Sequence, residues 1–282
     1  MNLAIRNLVL LVSVSVIASC HKHDGPAPDP NKYHLSRIVE SAASAPGGSA
    51  FIIDFVYDDQ QRVDKMIFSS GDSTNGSLTT QTCTFYYNGS EKNPYKTTGK
   101  PPYYITPDAD VYYYYNGSGQ LMRDSLRFTS GSEIATRDYT YSTDKITVKR
   151  TTYSSSTSTS NSWTDSFLIK DHNLAGSRTP AWIGGGYYGI NCTYDNKPNP
   201  IAQLNIAAVR MIDGLYGFAS YLAPGFCHNN ITESSSFYMD PQGQISTGDS
   251  RKFSYKYNAA GLPEECIKKS AATHITKFYY NE

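Results

Sequence analysis

Two pairs of neighbours in this 282-residue chain carry side chains of the kind used in hydrolysis, Asp171-His172 and Cys227-His228. A nucleophilic site needs a hydroxyl or thiol, an imidazole to take its proton and an acid to orient the imidazole. Successive residues of a strand point to opposite faces, so adjacency argues against either pair acting as a unit. No Gly-x-Ser-x-Gly elbow is present. Gly184-Gly185-Gly186 lacks the Lys-Ser/Thr of a phosphate-binding loop and reads as a turn or bulge. The six histidines are scattered and no Cys-x-x-Cys occurs, so no metal is expected. Paired carboxylates of glycosidase type depend on three-dimensional separation and stay open. The sequence thus assigns no catalytic residue and no cofactor, and places a non-enzymatic role ahead of an enzymatic one. What remains is the chemistry of aromatic faces, which stack on sugar rings. Trp163, Trp182, Tyr187 and Tyr188 are the candidate ligand-binding residues, set against the plainer reading that they pack in the fold.

Covalent chemistry is expected at Cys20. The segment Ile17-Ala18-Ser19-Cys20 follows a positively charged start at Arg6 and an apolar run from Leu8 to Ile17. A secretory signal has this order, with an apolar region of roughly 7–15 residues and small residues at the cut. A membrane-spanning helix needs about 20 apolar residues, and this run is shorter and broken by Ser13 and Ser15. The four residues resemble a bacterial lipobox, where the signal is removed and the new N-terminal cysteine is acylated. Two or more acyl chains anchor a protein stably. Residues 1–19 are therefore expected to be a lipoprotein signal peptide. Residues 20–34 would be the lipidated cysteine and a flexible tether, with Gly25-Pro26-Ala27-Pro28-Asp29-Pro30 carrying no large apolar group. Residues 35–282 would form a single domain. Cys20 is followed by His21 and not by an inner-membrane-retaining aspartate, so the expected address is the outer membrane through a lipid anchor. The periplasmic and cell-surface faces both stay open.

The elements that must position these residues read as strands. Charged residues are only 18% of the chain, the net charge is zero and there is no basic stripe, which argues against nucleic acid as a partner. Tyrosine is abundant, at 24 residues, and Tyr, Thr, Val and Phe favour half-buried pleated surfaces. One unit recurs: an alternating aromatic strand, a short turn rich in Asp, Asn and Gly, and a second strand. Copies run from Asp54 through Asp58-Asp59-Gln60-Gln61 to Phe68, from Tyr113 through Asn116-Gly117-Ser118-Gly119 to Phe128, and from Phe253 through Asn258-Ala259-Ala260-Gly261 to Ile267. Shorter echoes lie at Tyr86–Gly89, Phe237–Ile245 and Phe278–Asn281, with a degenerate one at Tyr139–Ile146. Asn and Asp tolerate the left-handed region and Gly supplies positive φ, so each unit is a hairpin. Successive hairpins make a meander.

Two stretches depart from the pattern. Thr151 to Asn161 is nearly all Ser and Thr and reads as a polar hairpin tip or solvated strand pair. From Ile201, the residues Leu204, Ala208, Met211, Ile212 and Leu215 recur at helical spacing, which predicts a short helix or plug near 201–214. Four cysteines besides Cys20, namely Cys83, Cys192, Cys227 and Cys266, permit up to two disulfides or none.

The lipobox, the Tyr-Asp/Asn-x-x-Gly-x-Leu turns, the segment Tyr194-Asp195-Asn196-Lys197-Pro198-Asn199-Pro200 and the later His228-Asn229-Asn230-Ile231 together resemble Bacteroidetes outer-membrane lipoproteins of unknown function with YD-like hairpin repeats and a porin-like fold. The resemblance covers most of the chain from about residue 35. It implies an all-β antiparallel meander curling into a barrel-like sheet, and no activity that could be carried over. The expected envelope location and the aromatic platforms make glycan capture the first functional reading, with an envelope protein as a further possible partner. A hydrolase acting on glycan or peptide is the alternative. Asp72-Ser73-Thr74 and Asp124-Ser125-Leu126 resemble O-glycosylation acceptors of that phylum. A barrel that itself spans the membrane would need a clean apolar outer band. Asp64, Lys65, Arg123 and Asp124 intrude on both strand faces, so a lipid-tethered soluble domain is expected instead.

Overall fold

The structure is a computed structural model of the chain. It describes residues 32–42, 49–72, 77–99, 109–128, 133–154, 159–181, 184–204, 227–270 and 273–281. The expected signal peptide, Cys20 and most of the tether lie outside these residues.

Alternating sequences become sixteen strands in chain order: β1 (His34–Ala42), β2 (Ser49–Tyr57), β3 (Val63–Asp72), β4 (Ser77–Tyr86), β5 (Lys96–Gly99), β6 (Ala109–Tyr115), β7 (Leu121–Phe128), β8 (Glu133–Tyr141), β9 (Lys145–Ser154), β10 (Thr159–Lys170), β11 (Asn173–Pro180), β12 (Tyr187–Pro198), β13 (Asn229–Met239), β14 (Ile245–Tyr257), β15 (Pro263–Lys269) and β16 (Thr273–Asn281). Each pairs antiparallel with its neighbours in sequence, and β16 returns to pair with β1, from His34↔Asn281 to Ala42↔His274. The meander thus closes into a barrel with no free edge, so every strand finds backbone partners on both sides.

One side-chain set of each strand points inward. Ile38, Ile53, Phe55, Met66, Phe68, Cys83, Phe85, Tyr113, Tyr139, Val148, Phe167, Phe253, Cys266 and Phe278 are buried in one contiguous cluster. Residues from strands all around the ring can meet only inside it. The alternate set faces out and carries Arg37, Lys65, Arg123, Lys149, Lys256 and Lys277. Sixteen-strand barrels commonly leave an aqueous channel. Here aromatic and aliphatic side chains occupy the interior.

The turns explain the hairpins. Asp58, Asn116, Asp240 and Asn258 each accept, on Oδ1, the backbone N–H groups two and four residues on, at 2.8–3.1 Å. The residue at the third position then takes positive φ: Gln61 (60°), Gly119 (79°), Gly243 (86°) and Gly261 (77°). The turns after even-numbered strands gather at one end, with the start of β1 and the end of β16. This end is called the turn end below, and the opposite one the far end. At the turn end, tyrosine hydroxyls tie the strands together. Tyr57 donates to the Leu35 carbonyl (2.8 Å), Tyr87 to Val63 (2.7 Å), Tyr115 to Pro94 (2.9 Å), Tyr141 to Leu121 (2.8 Å), Tyr255 to Ile231 (2.9 Å) and Tyr280 to Pro263 (2.8 Å). Each bond satisfies a hydroxyl that burial would otherwise leave unpaired.

The Ser/Thr-rich stretch is a strand pair, with β9 and β10 registered out to Ser154↔Thr159. The helix expected near 201–214 is not entered at its first residues. Pro200–Gln203 is a single 3-10 turn, capped by the Asn199 side chain, and Leu204 is already extended (φ −74°, ψ 129°). Helical spacing of apolar residues does not distinguish a regular α-helix from a single 3-10 turn. The remainder of the expected helix lies outside the described residues.

Candidate ligand-binding cleft

Inward-facing residues change character along the barrel. Towards the far end Glu40, Gln81, Arg137, Arg150, Asp165, Arg251 and Lys268 succeed the apolar set. Between β11, β12, β13 and β14 lies a cleft of about 540 Å3, lined by Ser177, Tyr188, Ile190, Ser234, Ser236, Tyr238, Asp249 and Arg251 among others. Its size is that of a small-ligand site.

The register explains how these residues meet. Tyr188 pairs with Thr179 on one side and Tyr238 on the other. The two tyrosine rings lie 5.1 Å apart at 42°. The Tyr238 hydroxyl donates to the Gly185 carbonyl at 2.9 Å. Gly184, Gly185 and Gly186 all have φ between 72° and 79°, so the glycine run is a tight far-end turn bracing Tyr238. A Cβ on Gly186 would lie 2.1 Å from the Met239 carbonyl oxygen. Ser236 donates to the Asp249 carbonyl, which brings β14 over the cleft.

Of the four aromatic candidates, Trp163 and Tyr188 share the inward face, through Phe167↔Ser177 and Ser177↔Ile190, and both lie towards the far end. Tyr187 points outward, because it is one residue from Tyr188 on the same strand. Trp182 lies outside the described residues. Tyr238, Asp249 and Arg251 were not legible as site residues. Tyr238 belongs to the echo Phe237–Ile245, but only cross-strand register joins it to Tyr188.

Hydrolytic chemistry is poorly served. His172 and His228 stack at the turn end, with ring centroids 4.7 Å apart. The Cys227 thiol, however, turns inward. It accepts the Leu174 N–H at 3.3 Å and lies 3.4 Å from the Tyr194 hydroxyl. Burial pushes this thiol up to about 12, the reverse of what a nucleophile needs. Three inward carboxylates outside the cleft are engaged: Asp165 pairs with Arg150, Asp124 accepts the Tyr139 hydroxyl and lies 3.8 Å from Arg137, and Glu40 lies 3.1 Å from His274. Among the described residues no group of three His, Cys, Asp or Glu side chains could hold a metal. No disulfide joins Cys83, Cys192, Cys227 and Cys266. Of the expected glycosylation acceptors, Ser125 is fully buried and closed to a transferase, while Ser73 and Thr74 lie outside the described residues.

The motif residues 197–200 and 228–231 form a polar clamp where β12 ends and β13 begins. Asn199 donates to the Cys227 carbonyl (2.9 Å), Asn229 exchanges bonds with Asn173 (3.0 Å each way), and Asn230 donates to Asp195, Lys197 and Pro198. Their role here is structural.

The sequence matches no protein-family model and no curated protein. Among solved structures, a porin-like protein from Bacteroides vulgatus ATCC 8482 aligns with a TM-score of 0.54 at 12% identity, over 88% of this chain and 98% of its own. A porin-like protein from Bacteroides uniformis ATCC 8492 aligns with a TM-score of 0.43 at 11% identity, over the same shares. At such identity the first likeness is one of fold.

Proposed function

We propose that this chain is a lipid-anchored, outer-membrane binding protein that captures a glycan in the far-end cleft without transforming it. The observation that carries the reading is the Tyr188–Tyr238 pair set among serine hydroxyls, Asp249 and Arg251. Aromatic faces take the apolar side of a sugar ring, and the polar groups take its hydroxyls. The cleft lining holds one carboxylate, Asp249, and not the facing pair a glycosidase uses, which weighs against the hydrolase alternative. The outer-membrane address draws on the lipobox at Cys20 and on the porin-like fold. Kinship with lipoproteins bearing YD-like hairpin repeats draws on the same residues. Tethering, as against spanning, draws on polarity. A spanning barrel needs an outward apolar band about 25 Å tall, whereas the outward face here carries ion pairs such as Arg37–Asp54 and Arg123–Asp138.

The test is a thermal-shift titration of the mature chain, from His21, against soluble oligosaccharides of several linkage classes and peptidoglycan fragments. One class should raise Tm by mass action. Tyr188→Ala should weaken that ligand about tenfold, the order of 1–2 kcal/mol for a lost stacking face. Tyr187→Ala, its outward neighbour, should leave binding intact. No shift with any glycan would overturn glycan capture and turn the search to envelope proteins. Equal loss in both variants would remove the cleft from the reading.

A further inference from the structure

We infer that the turn end of the barrel lies against a phospholipid surface through an outward rim of apolar and basic side chains. Among the last three residues of five even-numbered strands stands a large exposed apolar residue: Val56, Tyr86, Tyr114, Leu168 or Tyr279. They are between 38% and 46% exposed, so the sheet does not bury them. Each is registered directly opposite a basic residue on the neighbouring strand: Val56↔Lys65, Tyr86↔Lys96, Tyr114↔Arg123, Leu168↔Lys145 and Tyr279↔Arg37. Scattered exposed apolar residues are ordinary on a soluble surface. Five of them at one end, each beside a long cationic stem, have the composition of a membrane interface, where tyrosine sits at headgroup depth and Lys and Arg reach to the phosphates.

The direction of approach is set by the chain itself. β1 starts at His34 on this same end, and Cys20 lies only fourteen residues earlier, a reach of at most about 50 Å. An anchor there brings the turn end within reach of the bilayer, and the rim contact itself would leave the far-end cleft pointing away. The contact rests on the lipid-anchor reading for its orientation. Several of the cations already meet acids, as Lys96 does Asp110 at 2.7 Å and Arg123 does Asp138 at 3.6 Å. The adhesion is therefore chiefly interfacial and only weakly dependent on salt.

The experiment uses the mature, non-acylated chain from His21, which contains every strand of the closed sheet, and sediments it with vesicles of phosphatidylethanolamine and phosphatidylglycerol. Mass analysis of Cys20 in the native protein reads the anchor separately, so failure of one is not failure of the other. Wild type should cosediment. Tyr86→Ser/Tyr114→Ser/Tyr279→Ser should bind about tenfold less, and tryptophan at the same three positions should bind more tightly, which gives a readout even where the serine variant does not fold. Tyr153→Ser/Ile245→Ser, which makes a similar change towards the far end, should bind as wild type. Absence of cosedimentation, equal loss from changes at either end, or insertion that shields the strands from protease would overturn the inference.

Discussion

Tyrosine holds this barrel together at the turn end and opens it to chemistry at the far end. Tyr141 is a structural example, half-buried with its hydroxyl on the Leu121 carbonyl. Tyr141→Phe should cost about 1 kcal/mol, the net value of one hydrogen bond. In thermal denaturation that is a fall of about 3 °C for a domain of this size. The inward charges make a second prediction. Burial raises the Glu40 carboxyl above its ordinary value, with Lys268 opposing, and lowers His274, with Lys268 adding to the effect. Lys268 itself is lowered by burial. The raised Glu40 contributes stability that is present below the ordinary carboxylate range and lost as pH rises through its folded value. The depressed His274 contributes stability that is present above the ordinary imidazole range and lost as pH falls through its folded value. The two oppose each other between about pH 4.5 and 6.5. Glu40→Gln should therefore steepen the fall of Tm on acidification, and His274→Gln should flatten it, as read by melting curves from pH 7 to pH 4.

The elements were the most legible level. Asp58, Asn116, Asp240 and Asn258 could be read as turn formers because an Asx side chain and a positive φ three residues on are local requirements. Gly261 tests this. Its φ is 77° and a Cβ there would meet nothing nearer than Lys197 Cδ at 4.0 Å. Gly261→Ala should therefore cost backbone strain alone, about 1–2 kcal/mol, measured by denaturant unfolding. Gly189 was not legible in this way. It sits mid-strand opposite Phe237, whose ring would lie 2.3 Å from an added Cβ, with the Ser177 carbonyl at 2.4 Å. Gly189→Ala should be the costlier change, since backbone and a ring must both move. Of the helix expected from Ile201, the described residues show only a 3-10 turn, Pro200–Gln203, that Asn199 caps and Pro200 begins.

At the scale of the molecule, closure is the decisive fact. β16 bonds to both β15 and β1, so deleting residues 273–282 would expose two long edges. Such a truncation should aggregate on expression, and gel filtration of the soluble fraction should show no monomer. Closure also sorts the faces: the contiguous apolar cluster is inside, with buried pairs such as Arg150–Asp165 towards the far end, and exposed pairs such as Arg37–Asp54 and Arg123–Asp138 are outside. The sequence by itself determined the strands, their hairpin turns and their antiparallel order, because alternation, Asx turns and short connections act over a few residues. Only the tertiary structure decided that Tyr188 faces in and Tyr187 out, that Tyr238 joins Tyr188 across β12 and β13, and that the Cys227 thiol turns inward to Leu174 and Tyr194. Alternation defines two faces, but when both carry tyrosine it does not say which is inward. That choice belongs to the ring of sixteen strands, whose partners lie far apart along the chain.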